Sequence, residues 1–185
     1  PKYYPFTNTE VLESMRHDGG LTIQKGFQKW LQDIKKDKIP ILSKIQDVIL
    51  GKNIASSKGS IIYENHLIEV IHYKPLYRDI YKEPLLIVPS WINKYYIFDL
   101  NKDKSFVQYC LGKGIDVFMI SWKSATHIDI NIGLEDYIIQ GIEKSISFIK
   151  KPVHLLGFCT GGVASLITSI RNKNKQIISL SLLAT

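Results

Sequence analysis

The most informative stretch of this sequence reads Val153-His154-Leu155-Leu156-Gly157-Phe158-Cys159-Thr160-Gly161-Gly162-Val163-Ala164. Its apolar start predicts a buried strand, and the small and apolar residues at its end predict a helix. The Gly-x-Cys-x-Gly pattern between them is that of a nucleophile elbow, a strained turn that exposes a nucleophile. Gly157 and Gly161 suit such a turn because the backbone there approaches too closely for side chains. Cys159 is therefore a candidate nucleophile.

The position of Cys159 indicates acyl transfer. A following helix N-terminus favours an anion, so we expect the pKa of this thiol to fall below its usual value of about 8.5. The amide of Thr160 is placed to donate to a tetrahedral oxyanion, and a second amide comes from the loop after an earlier strand, here Pro89-Ser90-Trp91-Ile92-Asn93. A thiolate that attacks a thioester keeps the acyl group activated, so transfer fits a Cys nucleophile better than hydrolysis.

The sequence around the turn predicts a sheet. Four short apolar runs without alternation are typical of parallel strands covered on both faces, and they span residues 85–88, 115–122, 153–156 and 177–183. Upstream, two β-rich runs flank Glu64-Asn65 and predict an antiparallel hairpin within 60–73. A Gly-x-Cys-x-Gly string also occurs in structural turns with an inert Cys, but this context favours the functional interpretation.

Two crossover helices are expected between the strands. The first covers about residues 103–111 and ends at Gly112, and it places Cys110 on its buried side as a core thiol. The second covers about residues 134–150, with an apolar stripe that comprises Leu134, Ile138, Ile142, Ile146 and Ile149. The gaps between the strands are therefore filled by helices, as an α/β fold requires.

The composition is that of an ordinary globular protein. The 185 residues are 45% hydrophobic and 22% charged, and no apolar run is long enough to span a membrane. Two cysteines are too few for a disulfide framework, and the first residues resemble no export signal, so we expect an intracellular protein. The net charge of +7 comes from scattered lysines, which argues against nucleic acid and leaves attraction of an anionic coenzyme as a milder interpretation.

With these motifs in place, the sequence resembles the poly(3-hydroxyalkanoate) synthases, acyltransferases that polymerise hydroxyacyl-coenzyme A into polyester. The resemblance covers most of the chain past about Asp47, and the segments that carry it are 51–55, 58–60, 65–68, 71–73, 83–100, 117–122, 135–137 and the elbow. It implies an α/β-hydrolase fold, with an incomplete, mostly parallel sheet and crossover helices. Residues 1–59 would form a small N-terminal helical or extended segment, and residues 60–185 a partial core that ends after the strand following the nucleophile helix.

The resemblance also implies roles for individual residues. Cys159 would carry the growing acyl chain as a thioester. The amides of Thr160, in the elbow with Gly157 and Gly161, and of Ile92, in the loop, would bind the oxyanion. Two positions depart from the family, Ser90 where a second Pro is typical and Thr160 where Val is frequent. The substrate would be 3-hydroxybutyryl-coenzyme A or a similar short-chain thioester, with no metal and no other cofactor. Further implications are a cytoplasmic location at polymer granules and a homodimer.

The order of the chain predicts an incomplete triad. In this fold the acid and base follow the nucleophile, whereas all five histidines precede Cys159, namely His17, His66, His72, His127 and His154. We expect a fragment that lacks the catalytic Asp and His, is inactive alone, and is complemented by a C-terminal half. Two alternatives stay open: a Cys-dependent hydrolase that acts as a thioesterase or esterase, and a non-catalytic remnant or subunit.

Overall fold

The computed structural model describes residues 8–35, 49–126, 130–171 and 175–185. The chain divides into two compact units, Pro1–Asp47 and Val48–Thr185. The described part of the first unit contains helix α1, Thr9–His17, and helix α2, Leu21–Lys35. The side chain of Asn8 caps α1 by accepting a hydrogen bond from the amide of Glu10, as helix N-caps commonly do.

The second unit contains eight described strands. They are β1 Gly59–Glu64, β2 Ile68–Tyr73, β3 Leu85–Val88, β4 Asp99–Asn101, β5 Lys104–Ser105, β6 Val117–Trp122, β7 Val153–Phe158 and β8 Ile177–Leu183. Six of them form one sheet in the order β1-β2-β6-β3-β7-β8, and β4 and β5 form a separate small ribbon. The candidate turn therefore follows β7, next to the central strand β3.

The helices of the second unit lie between these strands. They are a 3₁₀ helix Tyr95–Phe98, α3 Phe106–Gly112, α4 Leu134–Asp136, a π-helical segment Tyr137–Glu143, α5 Lys144–Ile149 and α6 Thr160–Arg171. The segments from α4 to α5 follow one another without a break. Together they occupy the range in which a single crossover helix was predicted.

The predicted hairpin and parallel strands are confirmed. Strands β1 and β2 pair antiparallel, and the side chain of Asn65 closes their turn by accepting from the amides of Leu67 and Ile68. Strands β6, β3, β7 and β8 are mutually parallel, and β2 joins them antiparallel at β6. The run at 153–156 is longer than predicted, because β7 continues through Gly157 to Phe158.

Two hydrophobic cores cover the two faces of the sheet. One core includes Ile138, Ile142 and Ile146 from the crossover helix and Ala164 from α6. The other includes Val107, Cys110 and Leu111 from α3. Burial on both faces explains why the central strands carry apolar residues without alternation.

The helix predictions needed two corrections. The helix predicted from residue 103 begins at Phe106, because Lys104–Ser105 pair as β5 and the hydroxyl of Ser105 then caps α3 at the amide of Gln108. The helix predicted over 134–150 is π-helical in its middle, and Leu134 on the predicted buried stripe is 44% exposed. The predicted boundary between residues 59 and 60 falls at the start of β1 and stays a prediction about domain organisation.

Candidate active site

Cys159 occupies a strained turn between β7 and α6. Its φ is 53°, in the left-handed region that residues with a side chain rarely adopt. Its amide donates to the carbonyl of Leu183 at 2.9 Å, and its carbonyl accepts from the amide of Gly162 at 2.9 Å. The turn is thus held by β8 on one side and by the first turn of α6 on the other. Such strain persists only where the surrounding structure enforces it, and it is frequent at active sites.

The two predicted elbow glycines lie at close contacts. A Cβ on Gly157 would be 2.5 Å from Cα of Gly162, and a Cβ on Gly161 would be 2.4 Å from the carbonyl oxygen of Pro89. Neither contact leaves room for a methyl group. Gly161 therefore lets the start of α6 pack directly against the loop that follows β3.

That loop places its residues beside the turn. Ser90 is fully buried, and its Oγ lies 2.8 Å from Oγ1 of Thr160. The amide of Ile92 donates to the same Ser90 Oγ at 3.2 Å, while the Ile92 side chain is 75% exposed. One serine hydroxyl therefore contacts both residues that were predicted to donate to the oxyanion, Thr160 through its side-chain hydroxyl and Ile92 through its amide.

The hydroxyl of Ser90 is the part of this site that sequence reasoning missed. The spacing predicts which backbone amides converge, but it does not predict that a side chain joins them. A signal was present, because Ser90 and Thr160 are the two positions of the site that depart from the family pattern. Those two residues contact each other through their hydroxyl groups.

An aromatic cluster supports the loop from beneath. The indole nitrogen of Trp122 donates to the carbonyl of Pro89 at 2.8 Å. The ring of Trp91 lies 6.1 Å from that of Trp122 and 4.8 Å from that of Tyr137, measured between centroids. The π-helical segment brings Gly141 against the Trp122 ring, where a Cβ would come within 2.6 Å. The loop after β3 is therefore fixed by a hydrogen bond at Pro89 and by ring packing at Trp91.

Comparison with known proteins identifies the family. A sequence profile described as "Poly-beta-hydroxybutyrate polymerase (PhaC) N-terminus" matches residues 1–110. The chain belongs to this family.

The poly(3-hydroxyalkanoate) polymerase of Methylorubrum extorquens is 33% identical over 196 residues, an alignment that covers 100% of this chain and 32% of that protein. The polymerase subunit of Cupriavidus necator is 33% identical over 168 residues, which cover 88% of this chain and 28% of that protein. The chain thus spans about a third of the length of these polymerases.

Solved structures establish the fold class. A putative lipase from Acinetobacter baumannii AYE superposes with a TM-score of 0.53 at 13% identity, covering 76% of this chain and 48% of that chain. An α/β hydrolase from the metagenome of lagoon sediments at Mar Chica, Morocco, superposes with a TM-score of 0.50 at 14% identity, covering 66% and 50%. The predicted α/β-hydrolase fold is confirmed.

The second cysteine of this polymerase segment has a different environment. Cys110 is 2% exposed within the core beside α3, and burial raises the pKa of its thiol to about 11. A buried, protonated thiol is a poor nucleophile. The predicted core role of Cys110 is confirmed, whereas Cys159 is partly exposed.

Two histidines lie far from the turn. Nδ1 of His154 contacts Oγ of Ser179 at 2.8 Å near the start of β7, and five residues of extended strand place it roughly 16 Å from Cys159. His72 pairs with Asp116 at 2.7 Å, also at the amino ends of the parallel strands. Neither is placed to act as the base for Cys159. His66 is exposed in the hairpin turn, and His127 lies outside the described residues.

Two kinds of feature are absent from the described ranges. Within them, no group of three or more His, Cys, Asp or Glu side chains is arranged to hold a metal ion. No helix among them combines the length and apolar character needed to cross a membrane.

Proposed function

We propose that this chain supplies the nucleophile of a poly(3-hydroxyalkanoate) polymerase, with Cys159 carrying the acyl group as a thioester. The observation that carries the proposal is the strained turn at Cys159, with a φ of 53° between the end of β7 and the start of α6. The close packing of Gly157 and Gly161 supports it, because the same contacts that exclude side chains enforce the strain. Family membership supplies the reaction class.

The proposed first step is acyl transfer from coenzyme A to Cys159. The thiolate attacks the carbonyl carbon of a 3-hydroxyacyl thioester, a new C–S bond forms, and the carbonyl oxygen becomes an oxyanion. The amides of Thr160 and Ile92 would donate to that oxygen. The intermediate then breaks the old C–S bond, and coenzyme A leaves as a thiol after it takes up a proton. A short-chain substrate such as 3-hydroxybutyryl-coenzyme A is proposed from the resemblance.

The second step needs a general base that we assign to residues outside this chain. The hydroxyl of an incoming 3-hydroxyacyl group must lose a proton as it attacks the acyl-Cys159 thioester. The pairings of His72 with Asp116 and of His154 with Ser179 place both histidines at the opposite ends of the strands. Removing one member of a catalytic triad costs roughly a millionfold in rate in a well-studied protease. We therefore propose that turnover requires the remaining two thirds of the polymerase.

The surface beyond Cys159 supports such a complement. Leu182 and Leu183 of β8 are each 41% exposed, and Ile170 of α6 is 78% exposed. An apolar edge of this kind is typically covered in the complete protein. A C-terminal part that pairs with β8 would cover it and bring the acid and base. The homodimer and the cytoplasmic location at polymer granules stay predictions.

The test is complementation. The full chain is mixed with the C-terminal part of the Methylorubrum extorquens polymerase and with 3-hydroxybutyryl-coenzyme A, and free coenzyme A and polymer are measured. We expect release that needs both parts and disappears in Cys159→Ala. Release of free 3-hydroxybutyrate without polymer would instead favour a hydrolase. No release from a mixture that forms a folded complex would contradict the proposal and favour a non-catalytic subunit.

A further inference from the structure

We propose that Ser90 is a positioning residue of the oxyanion site, and that its hydroxyl ties the loop carrying the Ile92 amide to the helix that begins at Thr160. The inference rests on the proposed acyl-transfer function. It goes beyond that function by assigning a role to a side chain that contacts neither the nucleophile nor the substrate.

The hydrogen bonds around Ser90 define the connection. Its Oγ lies 2.8 Å from Oγ1 of Thr160 and accepts from the amide of Ile92 at 3.2 Å. A hydroxyl group has one donor and two acceptor sites, so it can hold both partners at once. Ser90 is 0% exposed, so water does not compete for these bonds. A single buried hydroxyl thus joins a loop and a helix that are 70 residues apart in sequence.

Several contacts constrain the loop around the Ile92 amide, and the hydroxyl of Ser90 is the one that bonds to that amide itself. Trp122 fixes the carbonyl of Pro89, and Gly161 packs against the same oxygen. Both contacts act two or more residues before the Ile92 amide. The Ile92 side chain is 75% exposed and so contributes little packing. The rings of Trp122 and Tyr137 hold Trp91 before it, and the Asn93 amide after it donates to the carbonyl of Ser90 at 3.2 Å. The bond to Ser90 Oγ, which also contacts Thr160 at the start of α6, therefore sets the partner of the Ile92 N–H in the resting protein.

The bond also suits a donor that must change partners during the reaction. The Ser90 hydroxyl is a neutral acceptor, and its Oγ lies at a long 3.2 Å from the nitrogen of the Ile92 amide. Hydrogen bonds to a charged oxygen are roughly twice as strong as neutral ones. The Ile92 amide is thus hydrogen-bonded in the resting protein, and it forms a stronger hydrogen bond when it turns to an oxyanion. The bond between Ser90 and Thr160 does not involve the Ile92 amide, so it can persist when that amide changes partner.

Two reactions of Cys159 separate this role from a structural one. Acylation by S-phenyl thioacetate passes through a tetrahedral oxyanion and releases thiophenol. Alkylation by iodoacetamide displaces iodide and forms no oxyanion. Both depend equally on the exposure and ionisation of the Cys159 thiol. The ratio of the acylation rate to the alkylation rate, measured on the full chain by the mass of the Cys159 peptide, therefore reports oxyanion stabilisation.

The variants are chosen to remove or keep the hydroxyl pair. Ser90→Ala and Thr160→Val each break it, whereas Thr160→Ser keeps it. Ser169→Ala removes a comparable hydroxyl bond from α6, where Ser169 Oγ donates to the carbonyl of Ser165 at 2.8 Å. Because misplacing a reacting group by about 1 Å costs up to about a hundredfold, we expect the ratio to fall at least about tenfold in the first two. Thr160→Ser, which keeps the hydroxyl pair, should recover most of the ratio that Thr160→Val loses, and Ser169→Ala should stay near the wild-type ratio.

The outcomes distinguish the two proposals. An unchanged ratio in folded Thr160→Val and Ser90→Ala would overturn the role of Ser90 and leave the acyl-transfer function intact. If Ser90→Ala does not fold, the comparison of Thr160→Val with Thr160→Ser decides alone. Failure of wild-type Cys159 to accept the acetyl group both alone and with the supplied C-terminal part of a polymerase relative, although iodoacetamide alkylates it, would overturn the proposed function and with it the role of Ser90.

Discussion

Cys159 and Cys110 carry the same side chain in opposite surroundings. Cys159 is partly exposed on a strained turn, whereas Cys110 is 2% exposed in the core beside α3. Burial penalises the charged thiolate and so raises the pKa of Cys110 to about 11. At this scale, environment and not residue type distinguishes the candidate nucleophile from the packing residue.

Alkylation at neutral pH should therefore discriminate between the two thiols. We expect iodoacetamide to label Cys159 much faster than Cys110 in the folded chain, because Cys110 is both protonated and enclosed. Peptide mass analysis after short labelling times measures the two rates, and labelling in denaturant serves as the control in which they converge. Equal labelling of both thiols in the folded chain would argue against a formed elbow.

The raised pKa also has a consequence for stability. An unfolded Cys thiol ionises at about pH 8.5, before the folded one at about 11. The unfolded state therefore loses its proton first as the pH rises. The folding stability that comes from burying the protonated Cys110 thiol is fully present below about pH 8.5, and it is lost as the pH rises through about 11.

The packing at Gly161 gives a second test. A Cβ there would lie 2.4 Å from the carbonyl oxygen of Pro89, so Gly161→Ala must push α6 away from the loop. We expect a loss of about 1–3 kcal/mol in the free energy of unfolding, as is typical of overpacking, together with slower acylation of Cys159. Gly112→Ala is the matched control, since nothing lies within 4 Å of its Cβ position. A fully stable Gly161→Ala would show that the close contact is absent.

The spacing of Gly157, Cys159 and Gly161 was enough to predict this turn. Chain geometry at a strand-to-helix elbow is local, and a local pattern is visible in sequence. The bond between Ser90 and Thr160 was not predictable, because it joins side chains 70 residues apart whose rotamers depend on tertiary packing. The assignment of Cys159, Thr160 and Ile92 to catalytic roles stays a prediction.

At the scale of elements, strands were more predictable than helices. Apolar runs marked β3, β6 and β7 because a strand buried on both faces leaves little freedom of composition. An apolar run also marked β8, although most of its residues are exposed. The helix over 134–149 was found, but its π-helical middle, Tyr137–Glu143, leaves no clear trace in the apolar spacing. It accompanies the contact of Gly141 with the Trp122 ring, which is set by the sheet and not by the helix sequence.

The bond from Trp122 to Pro89 tests how β6 supports the loop after β3. Trp122→Phe keeps a ring but leaves the buried carbonyl of Pro89 without its donor at 2.8 Å. We expect a loss of about 1–3 kcal/mol in the free energy of unfolding, measured by urea denaturation. Trp91→Phe is the control, because it shortens an indole of the same cluster without touching that bond. A larger loss in Trp91→Phe than in Trp122→Phe would contradict this account.

At the scale of the whole molecule, the described sheet stops at the strand after the nucleophile helix. Strand β8 is an edge in the order β1-β2-β6-β3-β7-β8, and most of its residues are exposed. The polymerase relatives are about three times as long as this chain, which spans 32% of the Methylorubrum extorquens protein. The interpretation of the chain as a fragment that lacks the catalytic Asp and His, made from the order of Cys159 and the histidines, stays a prediction.

The account depends most on Cys159 as the residue that accepts the acyl group. The direct measurement is peptide mass mapping of the chain after incubation with 3-hydroxybutyryl-coenzyme A and the supplied C-terminal part of a polymerase relative. We predict a 3-hydroxybutyryl group, or a short polyester of it, on the peptide that contains Cys159 and none on the peptide that contains Cys110. Acylation at Cys110 or at lysines alone, with Cys159 unmodified while coenzyme A is released, would contradict the account.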